Sequence, residues 1–208
     1  MKRILLIAFS ILISFVACKK NDSDDPNESV LDYMPLKVGN YWVYETYSCD
    51  SGEVNCESIS IDTNWVTGDT LINGEVYYMV EGKLLLVQGT LFLRDSGEYL
   101  VDHHGSVLFT HTDSLQIFNP QSIKNPEGDT IYYWYSKLTA QNGHISTGAG
   151  SFNCMNMRGS FFTAADDFQQ VHHYHNYYAK NVGLVKQTSF FASNFSAFRR
   201  ELIDYHLE

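Results

Sequence analysis

Positive charge is scarce in this 208-residue chain. Lys and Arg number 14 against 24 Asp and Glu, a formal net charge of −10. That balance repels nucleic acid and anionic surfaces, and no basic patch offsets it, so no nucleic-acid partner is expected. Proline is equally scarce, at 4 residues. No amphipathic pattern of helical period runs for 12 residues or more. There is no Gly-x-Ser-x-Gly elbow, P-loop or Rossmann fingerprint, so the common nucleophile and phosphate cradles are missing. Internal repeats are absent. Only one long apolar run exists, at the very start. What the chain has in abundance is aromatic residues, 14 Tyr, 13 Phe and 3 Trp, a composition that favours strands.

The single apolar run is Ile4–Ala17, behind the basic pair Lys2 and Arg3. It is shorter than the roughly 20 residues a membrane-crossing helix needs. Length and flanks therefore predict a signal peptide over residues 1–17. The run ends in Phe-Val-Ala-Cys, with small Ala17 before Cys18. This resembles the lipobox of bacterial lipoproteins, in which cleavage precedes a cysteine that then carries the acyl chains. The resemblance implies lipidation of Cys18, palmitate included, and a membrane anchor of two or three chains. The plainer alternative is an ordinary secreted protein with a chance cysteine. Residues 18–31 hold the polar stretch KKNDSDDPNES, which cannot bury a core and reads as a tether. Lys19 is not the aspartate that retains some lipoproteins at the inner membrane. The run Asp-Ser-Asp-Asp resembles surface-export signals of Bacteroidota-type lipoproteins; a generic solvated linker is the competing reading. The implied location is the cell envelope, at the outer membrane, facing the periplasm or the cell surface.

Residues 32–208 read as one domain. Short β-prone runs recur every 8 to 12 residues with Gly-containing turns between them. YWVYETY at 41–47 alternates, with Trp42 and Tyr44 on one face and Tyr41 and Val43 on the other. SISIDTNWV places Ile59, Ile61, Thr63 and Trp65 together on one face. Asn73–Gly74 between apolar runs is the strongest short hairpin signal. Asp102–Gly105 reads as a turn, 113–128 as a long loop that breaks the rhythm, and 141–150 as a turn region. The expected fold is mainly β: an antiparallel meander forming a curved sheet, half-barrel or barrel-like single domain with few short helices. Cys49 and Cys56 flank a turn-like stretch between two strands, so a disulfide is expected in an oxidising compartment. Cys154 is left over, and a small buried thiol explains it better than a nucleophile.

Several segments together resemble an uncharacterised Bacteroidota-type lipoprotein family. They are YMPLKVGNYWVYE, GDTLINGEVYYMV, TGAGSFNCMNMR, NYYAKNVGLVKQ and RELIDYHL, in that order across most of residues 33–207. The resemblance implies a mostly antiparallel β domain and brings no catalytic residues with it.

Chemistry-bearing candidates are few. His172, His173 and His175 lie in VHHYHNYY. On a strand, His173 and His175 share a face about 7 Å apart at Cα, enough for two ligands of a three-ligand zinc site. His103 and His104 in DHHG are weak candidates for the rest. A metal-dependent hydrolase centred on His173 and His175 is therefore the alternative to a non-enzymatic binding or structural component with no cofactor. Glu45 and Glu57 would resemble a glycosidase pair only if they faced each other across strands. DTL, DSL and DTI resemble Bacteroidota-type O-glycosylation acceptors, which makes Ser114, Thr70 and Thr130 weak modification sites. The aromatic content leaves room for a carbohydrate or lipid ligand.

Overall fold

The computed structural model describes residues 28–50, 54–84, 87–112, 115–190 and 197–208. Cys18, the leader, most of the tether and Ser114 lie outside the described residues. The expectation of a mainly β single domain is met. Twelve strands form one antiparallel sheet: β1 (Tyr41–Cys49), β2 (Cys56–Ile72), β3 (Glu75–Leu84), β4 (Val87–Ser96), β5 (Tyr99–Asp102), β6 (Val107–Thr110), β7 (Phe118–Lys124), β8 (Thr130–Thr147), β9 (Gly150–Thr163), β10 (His172–Ala179), β11 (Gly183–Phe190) and β12 (Ala197–His206). Their order is β6-β5-β4-β3-β2-β1-β12-β11-β10-β9-β8-β7. The chain meanders, except that β12 returns to lie beside β1.

Strands β6 and β7 are the two ends of the sheet, and the sheet curls until they meet. Among the described residues no ladder joins them. Instead the Asn119 side chain acts as a strand partner for Val107. Val107 N–H donates to Asn119 Oδ1 at 3.0 Å, and Asn119 Nδ2 donates to the Val107 carbonyl at 2.7 Å. The Asn119 backbone is left-handed, with φ 51, a conformation asparagine tolerates. Pro120 follows and has no N–H to give a ladder, which suits an edge strand at an irregularity; the β7–β8 register shifts between Phe118 and Gln121. This corrects the reading of 113–128 as a long loop, since β7 occupies its middle. Prolines and polar residues hid a strand that needs only one partner.

Alternation along β1 is as expected: Trp42 and Tyr44 are buried, with Thr46 following on the same face. Trp42 Nε1 donates to the Val182 carbonyl at 2.6 Å, and Tyr44 Oη to the Leu184 carbonyl at 2.8 Å. Asn40 is also buried. Its Nδ2 donates to the Pro35 carbonyl and its Oδ1 accepts from Glu208 N–H, both at 2.9 Å. The GNYWVY and AKNVGLV segments thus touch each other.

Ile59, Ile61 and Trp65 do share a face, but it points outward: they are 48, 62 and 46% exposed, while Asn64 and Val66 face in. The run 141–150 is mostly strand. It continues β8, and the reversal comes at Gly148–Ala149, where Ala149 N–H donates to the Leu202 carbonyl at 3.1 Å. Packed structure also begins earlier than residue 32. A short α-helix, α1 (Val30–Tyr33), is capped by Ser29, and Val30 is fully buried. Tyr33 packs on Phe109 at 4.9 Å between ring centres.

The disulfide is present. Cys49 and Cys56 are directly opposite on β1 and β2 and are bonded. Glu45 and Glu57 are not opposite: Glu45 faces Ile61 and Glu57 faces Ser48. Cys154 is buried, and burial pushes its thiol up to about 12, which suppresses the thiolate a nucleophile needs.

Candidate functional site

The inner face of the sheet does not close completely on itself. It leaves a cavity of about 240 Å³. Leu91 and Leu93 of β4, Leu100 of β5 and Leu108 of β6 form one wall, with Met34 just after α1. The facing wall is more polar, with Asn64 of β2, Asn176 of β10, Gln187 of β11 and Arg200 of β12. Gln187 Nε2 donates to Asn176 Oδ1 at 2.8 Å, and Asn176 Nδ2 to the Met157 carbonyl at 3.3 Å. Those two amides hold each other in place.

Arg200 is the unusual member. It is 2% exposed. Strand pairing sets it between Thr46 of β1 and Gln187 of β11. Its Nη2 donates to Asn64 Oδ1 at 3.0 Å, and its guanidinium carbon lies 3.9 Å above the centre of the Tyr44 ring, close enough for cation–π attraction. Among the described residues it makes no ion pair, and its Nε has no hydrogen-bond partner. Thr46 Oγ1 beside it is likewise unpartnered. Asp62 exerts some pull on Arg200, but its carboxylate is held by Lys83 at 3.4 Å and by Ser60 Oγ at 2.7 Å. Burial lowers the Arg200 pKa, with Tyr44 and Asp62 opposing; an arginine nevertheless stays charged in a protein. Burial raises the Tyr44 hydroxyl, against the pull of Arg200. It raises Tyr178 as well, with Tyr44 adding to it.

The candidate histidines lie elsewhere. His173 and His175 do share a face of β10, their ring centres 6.3 Å apart. His173 Nδ1 is 3.3 Å from Ser160 Oγ, and His175 Nδ1 is 2.9 Å from Asn156 Nδ2. An amide nitrogen can only donate, so His175 Nδ1 accepts there, a tautomer assigned from the network. His175 stacks on Tyr177. The strand register sets Lys137, Arg158 and His175 in a row across β8, β9 and β10, beside an open depression of about 460 Å³. Burial, then His173, Arg158 and Lys186, lowers the His175 pKa; burial, then Arg158, lowers that of His173. A ring of positive groups disfavours a metal cation.

His103 and His104 belong to the β5–β6 turn. Asp102 Oδ1 accepts from His104 N–H at 2.9 Å and Ser106 N–H at 2.8 Å, the aspartate turn chemistry its position suggests. Their rings pack together at 3.8 Å. Among the described residues, no group of three or more His, Cys, Asp or Glu side chains is arranged to hold a metal ion. Thr70 sits inside β2 opposite Tyr77, and Thr130 opens β8 opposite Lys124. Arg200 escaped sequence reasoning altogether. In FRRELIDY nothing distinguishes it from Arg199, which bonds Glu201 at 3.2 Å, except the strand parity that turns one of two adjacent arginines inward.

These strands and this cavity define a class: a single-domain antiparallel barrel with a small, mostly apolar interior. No family model and no curated protein matches the chain. Two solved structures are similar to it. One is a Bacteroides fragilis protein described as exported and as having a YmcC-like fold; it is 11% identical over 82% of this chain and 97% of its own, with a TM-score of 0.47. The other is described as a lipoprotein of Parabacteroides distasonis, 12% identical over 82% of this chain and 96% of its own, with a TM-score of 0.44.

Proposed function

We propose that this chain is a lipid-anchored, non-enzymatic binding protein of the bacterial cell envelope, at the outer membrane, whose barrel interior holds one small apolar or amphipathic molecule. The cavity of about 240 Å³ carries the reading. An engineered apolar cavity of about 150 Å³ takes up benzene, so this space is large enough for a ligand of roughly eight to ten heavy atoms. Leucine walls supply the affinity, and Asn64, Asn176 and Gln187 supply orientation, the usual division of labour in such sites. The leader, Cys18 and the acidic tether support the anchor.

The test is calorimetric titration of the mature chain carrying Cys18→Ser, which has no acyl group, with 1-octanol in detergent-free buffer. Saturable binding with a negative heat-capacity change is expected. Leu93→Trp fills the wall and should abolish it while retaining the β-sheet circular dichroism spectrum. Non-saturable heats, or unchanged binding to a folded Leu93→Trp protein, would overturn the reading.

A further inference from the structure

We propose that the interior ligand is a monocarboxylate with a short apolar tail, its head seated on Arg200. This rests on the reading of the cavity as a binding site and adds the ligand's chemical class. A guanidinium that is 2% exposed, with an unpartnered Nε and no ion pair among the described residues, is an uncompensated buried charge. Such a charge is strongly unfavourable unless something neutralises it. Asn64 satisfies one edge nitrogen and the Tyr44 ring covers the face. Neither carries the opposite charge, and Asp62 is already engaged by Lys83. The unmet partner must therefore be an anion arriving from the cavity that Arg200 borders.

A carboxylate matches the guanidinium in charge and shape, because its two oxygens accept two parallel N–H groups. A phosphate monoester brings nearly two charges to a site with one cation. Opposite lie Leu91, Leu93 and Leu100, an apolar wall for the tail. A head on Arg200 and a tail on β4 and β5 satisfy the charge and the leucines at once.

The experiment compares sodium octanoate, methyl octanoate and 1-octanol binding to the mature Cys18→Ser chain at neutral pH. Octanoate should bind about 10- to 100-fold more tightly than either neutral analogue, the range expected for a desolvated charge-assisted pair. Arg200→Met should lose the preference for octanoate over its neutral analogues. Arg200→Lys keeps the charge without the fork and should fall between. If nothing binds, the cavity reading fails and the proposal with it. Equal binding of octanoate and its methyl ester to the parent chain refutes the carboxylate while leaving the cavity reading intact. That comparison needs no variant to fold. A preference that survives in Arg200→Met refutes the role of Arg200.

Discussion

Replacing Asn119 with alanine tests whether one side chain closes the barrel. The substitution removes the two hydrogen bonds to Val107 of β6, at 3.0 and 2.7 Å, and a longer, weaker one to Ser136 Oγ at 3.3 Å. Each of the two to Val107 is worth about 1 kcal/mol net. Alanine must also hold the left-handed backbone at φ 51, which adds about 1 kcal/mol relative to asparagine. The expected loss is about 3 kcal/mol, read as a lowered urea midpoint at unchanged slope. Two companions separate the contributions. Asn119→Gly relieves the backbone and should lose about 2 kcal/mol through the hydrogen bonds alone. Asn119→Asp keeps an acceptor for Val107 N–H but opposes a carboxylate to the Val107 carbonyl, so its loss should be about 1 to 2 kcal/mol. Amide exchange at Val107 should accelerate in the alanine and glycine variants, with that of core strands such as β1 tracking only global stability. An alanine variant within about 0.5 kcal/mol of the parent, with Val107 still protected, would refute closure by Asn119.

Other outcomes follow from the same geometry. Gly183→Ala should destabilise by about 1 to 3 kcal/mol in thermal or urea unfolding, because φ is +113 there and a new Cβ would lie 2.9 Å from Trp42 Nε1; an alanine variant as stable as the parent would remove Gly183 from the argument. Reducing the Cys49–Cys56 bond should lower stability by about 2 to 3 kcal/mol, as its loop is short, measured by urea midpoints with and without reductant. Cys18→Ala should incorporate no labelled fatty acid in the producing cell; labelled protein would refute the anchor. Burial and neighbouring positive groups hold the folded His175 below its ordinary value. The unfolded imidazole therefore takes up a proton first, and stability declines as pH falls through about 6.5, levelling off below the folded value. His175→Gln should make that decline shallower, and an identical pH profile would show that His175 does not contribute.

Local chemistry made much of the fold legible. Asn73–Gly74 forms the β2–β3 turn with φ of 53 and 86, because few other pairs accept two left-handed residues in succession. Cys49 and Cys56 are close in the chain and sit on adjacent strands, so their pairing follows from spacing. Asp102 turns the chain at His103–His104 with its own side chain. The trio Ile59, Ile61 and Trp65 shows where such reasoning stops. Period-two alternation reports which residues share a face, and both faces of β2 carry plausible content, so it does not report which face looks inward. Strand β7 escaped for a related reason. An edge strand with Pro120 and a side-chain partner lacks the apolar run by which strands are recognised.

The sequence by itself determined the strand rhythm, the Cys49–Cys56 pairing, the shared face of Trp42 and Tyr44, and the apolar run that ends at Ala17, from which the anchor at Cys18 is inferred. Each depends on residues within a few positions of one another. Only the tertiary structure decided that the sheet closes through Asn119, that His173 and His175 stand among positive groups outside the cavity, and that Arg200 faces inward with no ion pair among the described residues. Those facts depend on the curl of twelve strands, which brings residues more than a hundred positions apart, such as Asn64 and Arg200, within one hydrogen bond. The inward turn of Arg200 is a matter of parity on a strand whose two faces read almost alike, and parity becomes inside or outside only when the barrel closes.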